Sequence, residues 1–128
     1  MSNRLTLPLK TKWFDMIKSG EKLEEYREIT PYWVSRLTVL IPDNDKDHME
    51  AHFLSIARHS ILRGFPVFRE YDEVEFTKGY PKKGDKNRRI VFKNPVIMIS
   101  KWGVEKWGAI PRKWYFAISW DQEGCEHE

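Results

Sequence analysis

The run Gly20-Glu21-Lys22-Leu23-Glu24-Glu25-Tyr26-Arg27 lies between two short amphipathic segments and places a lysine, a glutamate and an arginine within six residues. Read as a β-strand, its period of two sends Leu23, Glu25, Arg27 and Ile29 to one face and Lys22, Glu24, Tyr26 and Glu28 to the other. The first face begins and ends with an apolar residue and carries a carboxylate and a guanidinium between them. If Leu23 and Ile29 turn towards a core, Glu25 and Arg27 turn the same way. Charges at such positions pair with one another or line a cleft, because an isolated buried ion is too costly. The run therefore marks a candidate site, and its plain structural alternative is a salt bridge of Glu25 with Arg27 or Lys22 in a barrel wall.

Working outward, Leu5, Leu7 and Leu9 alternate with Thr6 and Pro8, which predicts an opening strand at an edge or bulge. Thr11 is placed to cap a two-turn helix that buries Trp13, Met16 and Ile17, and Gly20 stands where a C-terminal cap needs positive φ. Thr30-Pro31 reads as an N-cap followed by proline at the first helical position, opening a helix to about Leu37. A strand at Val39–Ile41 and a helix from Lys46 to Leu62 follow, the helix burying Met49, Phe53, Ile56 and Ala57. The C-terminal half reads as β. Val74 and Phe76, then Ile90 and Phe92, alternate with charged residues; Val96–Ile99 is a short apolar strand; Trp114, Phe116, Ile118 and Trp120 alternate in the last one. The expectation is an α+β fold, a small partly closed β-barrel with two or three helices, in one domain over 1–122 with a flexible tail at 123–128.

Gly20, Lys22, Glu25 and Arg27 spell Gly-x-Lys-x-x-Glu-x-Arg, and the chain resembles the ASCH domains of the PUA-like superfamily, in the small single-domain form common in phages and prophages. The likeness extends to Leu5–Lys10, Tyr32-Trp33, Tyr71–Phe76 with Gly79-Tyr80, and Trp107-Gly108-Ala109. It leaves out about 38–68, which reads as a helical insertion. The resemblance implies a PUA-like barrel whose signature residues line a cleft between barrel and helices and bind RNA. One branch of such proteins hydrolyses N4-acetylcytidine with a Lys, Thr and Glu constellation. Lys22 matches its lysine, but the threonine position holds Glu25, a departure from that branch. As an enzyme the chain would use Lys22 and Glu25, the carboxylate serving as base for a water. As a binding domain it would use Lys10, Lys22, Glu25, Tyr26, Arg27, Lys78, Tyr80 and Trp107.

Three other groups bear on function. The segment from Lys78 to Arg89 holds Lys78, Lys82, Lys83, Lys86, Arg88 and Arg89 against Asp85 alone, with Tyr80 free to stack. It reads as a hairpin loop, suited either to single-stranded RNA or simply to keeping a sheet edge soluble. His48 and His52 stand at i, i+4 on the predicted helix, but His59 lies roughly 16 Å further along from His48, so no metal site is expected. Trp102, Trp107 and Trp114 gather around Gly103 and Gly108 and are expected to pack over a barrel end.

Composition sets bounds on the rest. A net charge of +3 and a pI near 9.0 permit an anionic partner without demanding one. Cys125 is the only cysteine, so neither a disulfide framework nor a cysteine-rich zinc site is expected. No apolar run is long enough for a membrane span, and Met1–Leu5 lacks a signal-peptide core, so a cytoplasmic protein with no membrane partner is expected. No P-loop, dinucleotide fingerprint or Ser/His/Asp set occurs. The leading expectation is binding of RNA or a modified nucleoside without a cofactor. The alternatives are an amidohydrolase acting on an N-acylated cytidine-type nucleoside, and a non-catalytic module docking a protein through the 46–62 helix.

Overall fold

The computed structural model describes residues 3–42, 45 and 47–122, and in it six strands and three helices form an α+β fold. β1 (Arg4–Leu9) runs parallel to β3 (Glu73–Lys78), which pairs antiparallel with β4 (Arg89–Lys93). In the second sheet β6 (Tyr115–Ser119) lies between β2 (Glu25–Glu28) and β5 (Val96–Ser100), antiparallel to both. Among the described residues no strand pairs with both sheets, so hydrogen bonding does not close them into a barrel.

One main core lies between the sheets and helices. β1 contributes Leu5, Leu7 and Leu9 by strict alternation, and Pro8 sits on this edge strand, where its missing N–H costs no ladder bond. Phe76 packs edge-on against Trp120 at 4.9 Å, and Phe53 against Phe116 at 5.5 Å. A smaller cluster of Tyr26, Tyr115, Ala109 and Ala117 occupies the other face of the second sheet. The last strand is consequently buried on both faces, and Trp114 and Trp120 flank it rather than belong to it.

Helix α1 (Thr11–Lys18) takes Lys10 as its N-cap, with no side-chain capping bond, so Thr11 is its first helical residue and not its cap. Its inward residues are Phe14 and Ile17; Trp13 and Met16 are only half-buried. The helix is rolled so that Phe14 meets the core, which leaves the Trp13 ring at the rim. The helix ends as expected in a Schellman motif: Gly20 has φ +87°, its N–H donates to Ile17 O, and Glu21 N–H donates to Met16 O. Helix α2 (Pro31–Leu37) also starts as expected, with Thr30 Oγ1 accepting from Trp33 N–H at 3.3 Å.

The strand expected at Val39–Ile41 does not form. Thr38 makes a single bridge to Phe68, Val39 N–H donates to Val67 O, and Arg69 N–H donates to Leu37 O. Thr38 Oγ1 then takes the Leu40 N–H, and Val39 and Ile41 point outward with no layer to cover them. Those bonds hold the two ends of the 38–68 excursion side by side. Helix α3 (Met49–Leu62) buries Met49, Phe53 and Ala57, a stripe at steps of four, while Ile56 falls on its exposed flank. It begins later than expected: Asp47 and His48 form a turn, and Lys46 lies outside the described residues. The tail 123–128, with Cys125, also lies outside them. β3 and β4 form the expected hairpin around the basic loop. Among the described residues no helix is long and apolar enough to cross a membrane.

Candidate functional site

The Schellman turn that ends α1 also sets the position of Lys22, whose own N–H donates to Met16 O at 3.0 Å. Lys22 is therefore held by the helix end, and strand pairing begins only at Glu25, opposite Ile118. The two-face reading fails upstream of that point. Leu23 is exposed, while the Lys22 side chain turns inward to the charges of Glu25 and Arg27 and is 1% exposed. From Glu25 onward the alternation holds: Glu25 and Arg27 stand opposite Ile118 and Phe116 on the core face, and Tyr26 opposite Ala117 on the other.

These side chains form a buried ionic chain. Lys22 Nζ lies 3.0 Å from Glu25 Oε1, and Glu25 Oε2 accepts from Arg27 Nη1 at 2.8 Å. Glu25 Oε1 also accepts the Tyr26 backbone N–H at 3.0 Å. Arg27 Nη2 donates to the Pro8 carbonyl at 2.9 Å, which ties the second sheet to β1. The Lys22 ammonium donates to the Trp107 carbonyl at 2.5 Å and lies 4.2 Å from the centre of the Trp13 ring. The Arg27 guanidinium lies 5.1 Å from the centre of the Trp33 ring. Such a cluster persists only because each ion is compensated. Two donors are the exception: Arg27 Nε and Trp107 Nε1 are buried with no hydrogen-bond acceptor.

Burial sets the titration behaviour. Loss of hydration pushes the Lys22 amine below its ordinary value, further than the neighbouring Glu25 carboxylate raises it. Tyr26 is pushed well above the ordinary phenol range, first by burial and then by Glu24 and Glu25. Its hydroxyl donates to Glu24 Oε1 at 2.8 Å and accepts the Val104 N–H at 2.9 Å. Tyr26 thereby anchors the turn through Glu105–Trp107 to the strand that bears the charges.

Lys22, Glu25, Tyr26, Arg27 and Trp107 thus converge. The remaining candidates stand apart from these contacts. Lys10 is exposed at the start of α1. Lys78, at the end of β3, pairs with Asp15 at 3.0 Å and lies 5.3 Å from the centre of the Phe14 ring. Tyr80 projects from the loop, 91% exposed. Within that loop Arg88 pairs with Asp85, and Arg89 with Glu75 of the neighbouring strand, leaving Lys82, Lys83 and Lys86 exposed. His48 lies 2.9 Å from Asp45, and among the described residues no three His, Cys, Asp or Glu side chains are grouped to hold a metal ion.

Of the tryptophan group, Trp107 and Trp114 are partly buried against the two core clusters, and Trp102 departs from the expectation. Trp102 is 74% exposed, and the space beside Gly103 is taken by Tyr26 and Ala109: a Cβ there would stand 3.2 Å from the Tyr26 ring and 2.5 Å from the Ala109 Cβ. A Cβ on Gly108 would likewise lie 3.1 Å from the Trp13 ring. Both glycines make room for aromatics distant in sequence rather than for the tryptophans beside them.

Trp13 is the wall residue that sequence reasoning assigned to the core instead. The available signal was geometric. A Schellman turn brings residue 22 back beside residue 16, and residue 13 is the next position towards the N-terminus on that helix face. Trp33 carried no such signal, because its closeness to Arg27 depends on how α2 packs. No family model, no curated protein and no solved structure matches the chain.

Proposed function

We propose that this chain binds RNA or a modified nucleoside at the Lys22–Glu25–Arg27 cluster, as a PUA-like domain of the ASCH kind in which the two sheets act as halves of a barrel. The observation that carries the reading is the buried ionic chain walled by Trp13, Tyr26 and Trp33, beside two N–H donors that have no acceptor. A ligand oxygen that entered as the cluster opened would give Arg27 Nε and Trp107 Nε1, both buried, the acceptor they lack. Indole rings beside cations suit a stacked base. In this reading Arg27 contacts the ligand, while Lys22 and Glu25 hold Arg27 and the Trp107 turn in place. Lys10, just after β1, and Lys78 and Tyr80, at and beyond the end of β3, would add contacts to a longer ligand.

The test is a fluorescence-anisotropy titration of a labelled structured RNA with wild type, Lys22→Ala and Arg27→Ala, at low and moderate salt. Binding that weakens steeply with salt, and further in both variants, supports the reading, since each neutralised phosphate releases counterions. Salt-independent binding, or binding indifferent to both substitutions, argues against it.

The depressed basicity of Lys22 favours one second reading, hydrolysis of an N-acylated cytidine, in which water adds across the amide and an acid and the free amine are released. Incubation with N4-acetylcytidine tests it directly. Cytidine formed by wild type but not by Lys22→Ala supports this second reading, and no turnover at high protein concentration removes it.

A further inference from the structure

β5 is an outer strand that pairs with β6 and, among the described residues, with no other strand. Along it runs a groove of about 950 Å³, with the C-terminal half of α3 and the turn at 64–68 as its other bank. Val96, Ile97, Met98 and Ile99 all line this groove. Successive strand side chains point to opposite faces, so a groove that touches four in a row lies along the strand edge. The outward amides and carbonyls of such an edge are a template for another strand, and folds protect them with proline, charge or a bulge. Val96–Ser100 carries neither proline nor charge, and Val96 and Met98 are 51% and 57% exposed.

Charge decides the occupant. The charged residues lining the groove are Arg58 and Lys101, with no carboxylate among the lining residues. Neither cation has a carboxylate partner among the described residues, although Lys101 lies near the rings of Trp102 and Trp114. A second copy of the chain would bring two more cations to the same place. A small anionic amphiphile would satisfy the cations and leave the strand edge unmet. We propose that this groove receives an extended segment of a partner protein, alternating apolar and acidic residues, which adds to β5 as a further strand. Main-chain bonds to the edge then supply affinity, and Arg58 and Lys101 supply selectivity. The surface shares no residue with the Lys22 cluster.

A fluorescein-labelled octapeptide alternating isoleucine and glutamate serves as the probe, with the same peptide bearing lysine for glutamate as its counterpart. Anisotropy titration should show saturable binding of the acidic peptide to wild type and binding of the basic one weaker by about tenfold or more. The double variant Arg58→Glu/Lys101→Glu, its fold checked by circular dichroism, should reverse that preference. Hydrogen exchange should slow in residues 96–100 when the acidic peptide binds. No saturable binding by about 1 mM overturns the proposal, as does equal affinity for both peptides or binding without protection of β5. Sedimentation that shows a dimer protecting β5 without peptide assigns the edge to a second copy instead.

Discussion

Lys22 and Trp107 are 85 residues apart in the chain and meet through one hydrogen bond, from the lysine ammonium to the tryptophan carbonyl at 2.5 Å. The same ammonium pairs with Glu25. One side chain thereby joins the end of α1, the start of β2 and the turn before β6.

Lys22→Met keeps most of the length of that side chain, one atom short, and removes its charge. Glu25 then retains only Arg27 as a buried cation partner, and the Trp107 carbonyl loses its donor. We expect destabilisation of about 3 kcal/mol, the low end for a broken buried pair because Arg27 remains. The shift in urea midpoint measures it, with faster hydrogen exchange over residues 104–109. An unchanged midpoint would show that the ammonium contributes no net stability.

Alkaline titration separates two groups of opposite sign. Lys22 is a base whose folded value is lowered, so between that value and its ordinary value of about 10.4 the unfolded chain binds more protons, and stability rises with pH. Tyr26 is an acid whose folded value is raised, so above about pH 10 the unfolded chain releases a proton that the folded chain keeps, and stability falls. Urea denaturation from about pH 7 to pH 11 should show wild type rising and then turning down. Lys22→Met should lose the rise. Tyr26→Phe should lessen the fall, while stranding the Val104 N–H at a cost of about 1–3 kcal/mol.

Gly103→Ala places a methyl group 2.5 Å from the Ala109 Cβ and against the Tyr26 ring. Overpacking of this kind costs about 1–3 kcal/mol. Because the closest obstruction is a single methyl, Gly103→Ala/Ala109→Gly should recover part of the loss. Thermal unfolding of the single and double variants reads the coupling, and strictly additive losses would rule out direct contact as the cause.

Phe14→Ala should cost about 3–5 kcal/mol, as for other buried aromatic truncations, and Met16→Ala clearly less. Equal losses would mean that α1 presents its other flank to the core. The pair tests the roll of the helix that places Trp13 beside Lys22.

Local chemistry was legible in the sequence where a residue specifies its own backbone. Gly20 announced a positive φ, Thr30-Pro31 a helix start, and the leucines at 5, 7 and 9 an alternating strand. The core-facing orientation of Glu25 and Arg27 was readable as well, because Ile29 shares their period. Legibility ended where two segments compete for the same backbone. The end of α1 took the Lys22 backbone, so pairing starts only at Glu25, and Thr38 Oγ1 met the backbone of Val34 and Leu40 where a strand was expected. The rings around the charges were hidden for another reason: Trp13 and Trp33 reach them by packing, which periodicity within one element does not encode.

Arg4 is paired with Glu73 across 69 residues of chain. At a synthesis rate of about 5–20 residues per second, the strand that receives β1 emerges several seconds after it. Leu5, Leu7 and Leu9 spend that interval without their sheet. β1 therefore waits for β3, and β2, whose partner β6 is made later still, waits longer; a nascent chain halted before Lys78 exposes an apolar strand with no completed sheet to join.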